Sequence, residues 1–173
     1  MKAILSIVVA LALWASAAAA AEDEAQRCGE LPPAVAQTKA AIRDAAAARD
    51  YAALAKLADP ATFTYSFGDG GDPVAYWTSV DGEGTDIRAT IAALLDMSCA
   101  TFPGDETGPY YEWPAAAEIP YAELTEDEVA ALQKLYEGKL EDQYIEGPEV
   151  GYYVGWRLLI TEDGRWDAFV AGD

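Results

Sequence analysis

Carboxylates, tyrosines and a few arginines are the main side chains with which this sequence could do acid–base or ligand chemistry. The 173 residues include 30 aspartates and glutamates, 11 lysines and arginines, 10 tyrosines and no histidine. The lack of histidine excludes the usual general base, the Ser-His-Asp triads and most zinc sites. No serine lies in a G-x-S-x-G motif, and no glycine-rich loop carries the lysine of a phosphate-binding loop.

One group of carboxylates lies in and after a glycine-rich stretch, at Asp69, Asp72, Asp81, Glu83 and Asp86. Calcium is a hard ion that takes oxygen ligands, so convergence of these side chains would form a Ca²⁺ site. The spacing does not fit an EF-hand, because no glycine falls at the sixth position of the loop. The alternative, which we favour, is that Asp72 caps a helix and the others are solvated turn residues.

Two further sets of residues are candidates for binding a ligand. On the outer face of a C-terminal hairpin, Tyr153 and Arg157 place an aromatic ring beside a planar guanidinium, which can hold a carboxylate or a sugar ring. Elsewhere, Tyr65 and Trp77 are candidates to line a pocket, because such side chains combine apolar surface with a polar group. The alternatives are that Arg157 pairs with one of the 30 acids and that the aromatic residues fill the core.

The elements that hold these residues are clearest at the C-terminus, where alternating apolar residues flank Glu162-Asp163-Gly164. Period 2 predicts strands over 152–160 and 166–170, each with one apolar face. A three-residue loop with glycine in third place predicts a hairpin closed by Thr161 and Arg165. The predicted pairs are Ile160 with Trp166, Leu158 with Ala168, Trp156 with Val170, and Arg157 with Phe169.

The rest of the chain predicts helices connected by short loops. The predicted helices span 33–48, 51–58, 73–80, 86–97 and 125–137, and further strands span 62–67 and 110–113. Asp50, Asp72 and Thr85 are the expected helix caps, and Thr125 with Glu128 forms a capping box. These elements predict an α+β domain, with helices packed on a small antiparallel sheet that ends in the C-terminal hairpin.

The first 21 residues have the pattern of a signal peptide. Lys2 is followed by an apolar core over 3–14 and by small residues up to Ala21, and an uncleaved membrane anchor is the alternative. Cleavage leaves 152 residues, which we predict to form a single domain over 22–173 in the periplasm or outside the cell. In an exported chain, the two cysteines Cys28 and Cys99 predict a disulfide.

The chain carries a strong excess of negative charge. Its formal net charge is −19, and loss of Lys2 leaves 10 basic and 30 acidic residues, hence a net charge of −20. Such a chain is repelled by nucleic acids and by anionic membranes, so neither is expected as a partner. Cationic partners and divalent metals remain compatible, although the same charge also keeps an exported protein soluble.

Four motifs carry a resemblance to known proteins: FTYSFGDGGDPVAYW (63–77), AALLDMSC (92–99), YYEWP (110–114) and GWRLLITEDGRWDAFVAGD (155–173). Together they resemble a set of short uncharacterised proteins exported by Gram-negative bacteria. The resemblance implies export and no particular activity. The order of the elements also resembles the NTF2-like cone, whose helices fold over a curved sheet. The W…DG.W pattern of the hairpin is similar to bacterial SH3-like modules.

These observations predict a non-catalytic exported protein that binds a small molecule or a protein partner. One alternative is a hydrolase that uses paired carboxylates. Another is an acidic envelope protein that is stabilised by Ca²⁺. A concave pocket in which two carboxylates of raised pKa converge would favour the enzyme, whereas a flat aromatic patch would favour a surface for a partner.

Overall fold

The computed structural model describes residues 25–65, 71–104, 108–149 and 151–172. The predicted signal peptide over 1–21 and the candidate ligand Asp69 lie outside these residues. The helices are α1 Pro33–Ala47, α2 Tyr51–Leu57, α3 Pro73–Gly82, α4 Ile87–Asp96 and α5 Glu126–Leu135. The strands are β1 Gln26–Arg27, β2 Ala100–Phe102, β3 Tyr110–Trp113, β4 Tyr144–Ile145, β5 Tyr152–Tyr153, β6 Arg157–Thr161 and β7 Trp166–Val170.

Side-chain caps set the start of most helices, as the sequence predicts. The carboxylates of Asp50 and Asp72 accept hydrogen bonds from backbone amides in the first turns of α2 and α3. Thr125 and Glu128 form the predicted capping box of α5. The prediction that Thr85 caps the fourth helix is wrong. Asp86 caps α4 instead, because its carboxylate reaches two amides of the first turn.

Five strands form one antiparallel sheet in the order β1-β2-β3-β6-β7, and β4 and β5 form a separate two-stranded sheet. Helices α1 and α4 pack against each other and onto β6. The predicted α+β class with a C-terminal hairpin is confirmed. Strands β1, β2 and β4 were not predicted, because each has only two or three residues and shows no alternation of its own.

The predicted hairpin loop is confirmed, but its register holds only next to the loop. Gly164 has φ +88°, the amide of Thr161 donates to the carbonyl of Arg165 at 3.0 Å, and Ile160 pairs with Trp166. Beyond that pair a β-bulge shifts the register, so Asp167 has no partner on β6. The observed pairs are Leu159 with Ala168, Leu158 with Phe169, and Arg157 with Val170.

The three remaining predicted pairs, Leu158 with Ala168, Trp156 with Val170 and Arg157 with Phe169, are therefore wrong. The segment on the other side of β7 gives the physical reason. The amide of Thr64 donates to the carbonyl of Asp167 at 2.9 Å, and the amide of Phe169 donates to the carbonyl of Thr64 at 2.8 Å. A strand was predicted over 62–67, and the structure describes residues 62–65 of it. There the contact with β7 is a single parallel bridge between Thr64 and Ala168.

The predicted strand over 152–160 is also wrong, because it is divided between the two sheets. Tyr152 pairs with Ile145 in the small sheet, whereas β6 begins at Arg157 in the large one. The chain crosses between the sheets at Gly155, where a Cβ atom would lie 2.3 Å from the hydroxyl of Tyr136 and 2.4 Å from that of Tyr153. Only glycine fits this close approach without displacing the two tyrosines.

The main core lies between the sheet and the helices. Trp77 and Trp166 have no exposed surface, and their stacked rings lie 6.0 Å apart between centroids. The indole N–H of Trp166 donates to the carbonyl of Ala168 at 3.0 Å, so this ring is buried without an unsatisfied donor. Trp156 is only half-buried at the margin of this core, where it stacks on Phe169.

The predicted disulfide between Cys28 and Cys99 is confirmed, with an S–S distance of 2.06 Å. It ties the chain before α1 to the segment that follows α4, beside the pairing of β1 with β2. Closing a loop of 71 residues restricts the unfolded chain and stabilises the fold by about 4 kcal/mol in the chain-entropy description. No helix within the described ranges is long and apolar enough to cross a membrane.

Candidate functional site: a tyrosine-lined groove behind the sheet

The face of the sheet that points away from α1 and α4 holds a buried carboxyl group. On β3, Tyr111 and Trp113 pack into the main core, so the alternation of the strand directs Glu112 to the opposite face. Glu112 is only 4 % exposed. Its neighbours across the sheet are Ala100 on β2 and Leu159 on β6, which give it no hydrogen bond through their side chains.

The chain after β3 folds back over this face and brings a second carboxyl group to Glu112. A short 3₁₀ turn, Ala115–Ala117, is held to the segment before β2 by the amide of Ala115, which donates to the carbonyl of Ser98 at 2.9 Å. Ala115 packs with Ala100 and Ile119 in a small apolar cluster. This turn places Glu118 where its carboxyl group hydrogen bonds with that of Glu112.

Burial raises the pKa of Glu112, and the hydrogen bond and negative charge of Glu118 raise it further, to about 9. The positive charge of Arg157 on β6 acts in the opposite direction and lowers it. Glu112 is therefore protonated at neutral pH and can donate its proton to the carboxylate of Glu118. The two residues, which we call the Glu112–Glu118 pair, hold at least one proton near pH 7.

Two tyrosines, the buried Tyr153 and the partly buried Tyr136, lie close enough to Arg157 for its positive charge to affect their hydroxyls. The hydroxyls of Tyr136 and Tyr153 are 2.5 Å apart, and the hydroxyl of Tyr136 also accepts from the amide of Trp156 at 2.8 Å. Burial raises the pKa of both phenols, that of Tyr153 most strongly, so both stay neutral at physiological pH. Arg157 extends along the same face and donates to the carbonyl of Gly172 at 2.7 Å.

A groove of about 340 Å³ opens beside these residues. Its lining comes from two stretches of chain, the segment 116–122 and the two-stranded sheet with the turn that connects its strands. Four tyrosines line this tyrosine groove, and its charged lining residues are two glutamates. The tyrosines are Tyr121, Tyr144, Tyr152 and Tyr153, and the glutamates are Glu118 and Glu149.

The tyrosine rings form a packed array rather than separate surface residues. The ring of Tyr144 meets those of Tyr121 and Tyr153 edge-to-face, with centroids 5.6 Å and 5.5 Å apart. Tyr152, by contrast, is 54 % exposed at the edge of the groove. Gly151 allows the turn before β5 to close, because a Cβ atom there would lie 1.5 Å from the carbonyl oxygen of Ile145.

Tyr144 carries the least satisfied polar group of the groove. The residue is 7 % exposed, and its hydroxyl is buried with no hydrogen-bond partner among the residues that the structure describes. Burial raises its pKa to about 12. A buried hydroxyl without a partner costs roughly 1–3 kcal/mol of folding free energy.

A larger groove of about 860 Å³ runs between α4 and α5, but its polar groups already have partners or face solvent. Its floor is rich in alanine. Asp86 caps α4, and Asp96 pairs with Arg43 at 2.5 Å. Lys134 lies in the last turn of α5, where a cation is expected to face the negative end of the helix dipole. We therefore assign the candidate site to the smaller tyrosine groove.

The structure places the predicted ligand-binding residues in two different parts of the molecule. Tyr153 lines the tyrosine groove, and Arg157 lies close enough to Glu112 for its charge to affect the carboxyl group. Trp77 is enclosed in the main core, and Tyr65 lies near it, stacked on Phe63. Neither Tyr65 nor Trp77 lines the groove.

Of the predicted calcium ligands that the structure describes, Asp72, Asp81 and Asp86 serve as caps or local hydrogen-bond acceptors, and Glu83 is the residue that ends α3. Asp72 and Asp86 cap α3 and α4, and the backbone amide of Ala89 is the main group that lowers the pKa of Asp86. Asp81 accepts from the hydroxyl of Tyr51 at 2.6 Å and pairs with Arg88 at 2.8 Å. The carboxylates of the described ranges form no group of three that could hold a metal ion.

Sequence reasoning missed the buried Glu112 and most of the residues that line the groove: Glu118, Glu149, Tyr121, Tyr144 and Tyr152. One signal was present, since Glu112 is the single charged residue in the strand sequence Tyr-Tyr-Glu-Trp. An acid in a strand with large apolar neighbours is either exposed or held by a specific partner. The partner itself gave no signal, because Glu118 comes from a turn whose path the sequence does not reveal.

No known protein family model matches the sequence, and comparison with curated proteins and with solved structures finds no match. The resemblances to exported Gram-negative proteins and to the NTF2-like cone therefore stay predictions.

Proposed function

We propose that this protein is a non-catalytic, exported binding protein that holds a small organic molecule in the tyrosine groove. The observation that carries the proposal is the groove itself, which four tyrosines line. The volume of about 340 Å³ falls in the range of small-molecule sites. Aromatic walls with a few polar groups are also typical of such sites.

A screen by thermal shift tests this function. The panel contains neutral sugars, organic cations and organic carboxylates, because tyrosine-lined grooves bind all three classes. We expect at least one class to raise the melting temperature by mass action. Tyr121→Ala should abolish that shift, whereas Tyr110→Ala, which removes a ring that stacks on Phe102 away from the groove, should leave it unchanged. If no class stabilises the protein, or if both variants respond like wild type, the proposal is wrong.

Export is the part of the proposal that rests on the disulfide and on the N-terminal sequence. Disulfides persist in oxidising compartments, and the Cys28–Cys99 bond fits the periplasm or the extracellular medium. Intact-mass analysis after expression in a Gram-negative host should find a chain that lacks about 21 N-terminal residues. A full-length mass, in a chain whose two thiols alkylate without reductant, would contradict it.

A hydrolase is the second candidate function, and the Glu112–Glu118 pair is the observation that favours it. A carboxylic acid that is protonated at neutral pH beside a second carboxyl group has the components of general acid–base catalysis. Of the pair, however, only Glu118 lines the groove, so Glu112 would act through Glu118 rather than on a substrate. Turnover of p-nitrophenyl glycosides or esters that is lost in Glu118→Gln would establish this function in place of pure binding.

A further inference from the structure

We propose that the ligand of the tyrosine groove is an organic cation, and that its binding releases a proton from the Glu112–Glu118 pair. The inference rests on the proposed function, because it names the ligand class and the proton coupling of the same groove. Two independent features of the groove carry it: the sign of its charged lining, and the contact of one lining carboxyl group with a buried, protonated one.

The lining favours a cation over an anion or a neutral molecule. Glu118 and Glu149 are its charged residues, and no lysine or arginine lies among the lining residues that the structure describes. Tyrosine rings attract a cation through their negative faces. An organic anion would be repelled by both glutamates, and a neutral molecule would gain nothing from their charge.

The lining also offers aromatic surface. Four tyrosines line the groove, and Tyr152 is 54 % exposed at its edge. Tyr121 is only partly buried and meets Tyr144 edge-to-face. An organic ammonium ion of a few carbon atoms combines the positive charge and the apolar surface that this lining favours.

The groups that face Glu112 decide how its proton responds. Glu118 contributes a hydrogen bond and negative charge, and Arg157 contributes the positive charge that opposes them. The nearby phenols Tyr136 and Tyr153 stay neutral, because burial raises the pKa of both. Across the sheet, Ala100 and Leu159 are apolar and do not titrate. The protonation state of Glu112 is therefore set by its burial, by Glu118 and Arg157, and by any charge that enters the groove.

A cation beside Glu118 shifts the balance toward ionisation of the pair. It adds a positive charge beside the exposed Glu118 and close to the buried Glu112, and this charge favours the ionised form of Glu112. The proton of Glu112 then passes to solvent. The free cation and the protonated protein thus combine to give the complex and a free proton. By thermodynamic reciprocity, a ligand that drives off a proton binds more tightly as the pH rises. The affinity for the cation rises at most tenfold for each pH unit. The rise ends near pH 9, where Glu112 ionises without ligand.

Calorimetric titration with choline tests the inference. Choline carries a fixed positive charge, and 3,3-dimethylbutan-1-ol is its neutral counterpart of the same shape. We expect choline to bind at least about tenfold more tightly at pH 8.5 than at pH 6.5, and to release protons when the heats are compared in two buffers of different ionisation enthalpy. The alcohol should bind more weakly, by a factor of about 3 to 30, and without pH dependence.

Two matched variants separate proton coupling from simple charge attraction. Glu112→Gln has the shape of the protonated acid, so it should bind choline at every pH with the weaker affinity that wild type shows near pH 6. Glu149→Gln removes a charge from the groove but leaves the Glu112–Glu118 pair, so it should bind more weakly while keeping the pH dependence. Circular dichroism melts of both variants confirm that they are folded at each pH.

Each result decides between the claims. If the alcohol binds as tightly as choline, or if a sugar from the thermal-shift panel binds and choline does not, the inference about the ligand is overturned while the groove remains a binding site. If choline binds wild type with a pH-independent affinity, the proton coupling is overturned. If nothing in the panel binds and groove variants behave like wild type, the proposed function itself fails.

Discussion

The two faces of the five-stranded sheet are buried by different means. Against α1 and α4 the sheet presents Leu158, Ile160 and Trp166, which have no exposed surface and are packed by apolar contacts. On the opposite side, the buried residues include Glu112 and, from the two-stranded sheet, Tyr153. Their neighbours are hydrogen-bonding and ionisable groups. The first face gains stability from removing hydrocarbon from water. The second depends on the protonation of its groups, so pH and ligands can change it.

The largest expected effect concerns the apolar face. Trp166→Ala removes a ring that contacts Phe63 and Trp77, and it should lower the free energy of unfolding by about 3–5 kcal/mol. Trp156→Ala, at the half-buried margin, should cost clearly less, about 1–2 kcal/mol. Urea denaturation measures both. A greater loss in Trp156→Ala than in Trp166→Ala would mean that the core is centred elsewhere.

The next largest effect concerns Glu112 on the polar face and depends on pH. The pKa of Glu112 is about 9 in the folded protein, against an ordinary value of 4.5, so the folded state binds the proton more tightly. The stability that this group contributes is complete below about pH 4.5 and is lost as the pH rises toward 9. The loss is at most about 1.4 kcal/mol for each pH unit, hence up to about 3 kcal/mol between pH 6 and 8.

Glu112→Gln should remove this part of the pH dependence, so that the variant exceeds wild type in stability increasingly from pH 6 to 8. The pKa of Glu128 is lowered to about 2, chiefly by its hydrogen bond with Arg27, and its contribution is lost only in acid. It therefore does not disturb the comparison above pH 6. Urea melts at several pH values measure the difference between the two proteins. Parallel curves for wild type and variant would show that Glu112 ionises normally.

A smaller effect distinguishes two tyrosines of the polar face. Tyr153→Phe removes a hydroxyl that hydrogen bonds with Tyr136, and it should cost about 1–2 kcal/mol of unfolding free energy. Tyr144→Phe removes a buried hydroxyl with no partner among the described residues, so it should be neutral or slightly stabilising. Equal losses of stability in the two variants would mean that Tyr144 has a structural partner.

The smallest expected effect concerns calcium and the carboxylates of the helical layer. Because Asp72, Asp81 and Asp86 already accept hydrogen bonds, millimolar Ca²⁺ should stabilise the protein by less than about 1 kcal/mol. Mg²⁺ should act equally, since both ions would only reduce charge repulsion. Thermal melts with each ion test this expectation. A calorimetric isotherm that shows one calcium site of submicromolar affinity would contradict it. Such a result would support the alternative of an envelope protein that is stabilised by Ca²⁺.

The apolar face could be predicted from the sequence to a greater extent than the polar one. The hairpin loop follows from a glycine in third place, and the starts of α2 and α3 follow from Asp50 and Asp72, because these signals act over a few residues. The bulge at Asp167 depends on Thr64, about 100 residues away along the chain, so period 2 could not reveal it.

The Glu112–Glu118 pair could not be predicted for a related reason. The two residues are close in sequence, but their contact depends on the turn Ala115–Ala117 folding back over β3 and on the hydrogen bond that holds Ala115 to Ser98. Likewise, Tyr144 and Tyr153 meet only because the strand predicted over 152–160 is divided at Gly155. The residues of the groove are therefore set by tertiary structure and not by local pattern.

The protonation state of Glu112 is the most direct test of the contrast between the two faces. Carbon-detected NMR of protein labelled at glutamate side-chain carboxyl carbons follows each carboxyl group through a pH titration, and Glu112→Gln assigns the resonance. We predict one glutamate that has the chemical shift of a neutral acid at pH 7 and titrates near pH 9. If every glutamate instead titrates in the ordinary range, about pH 3–5, the buried Glu112 is not protonated as described, and the polar face does not hold a proton that a ligand could displace.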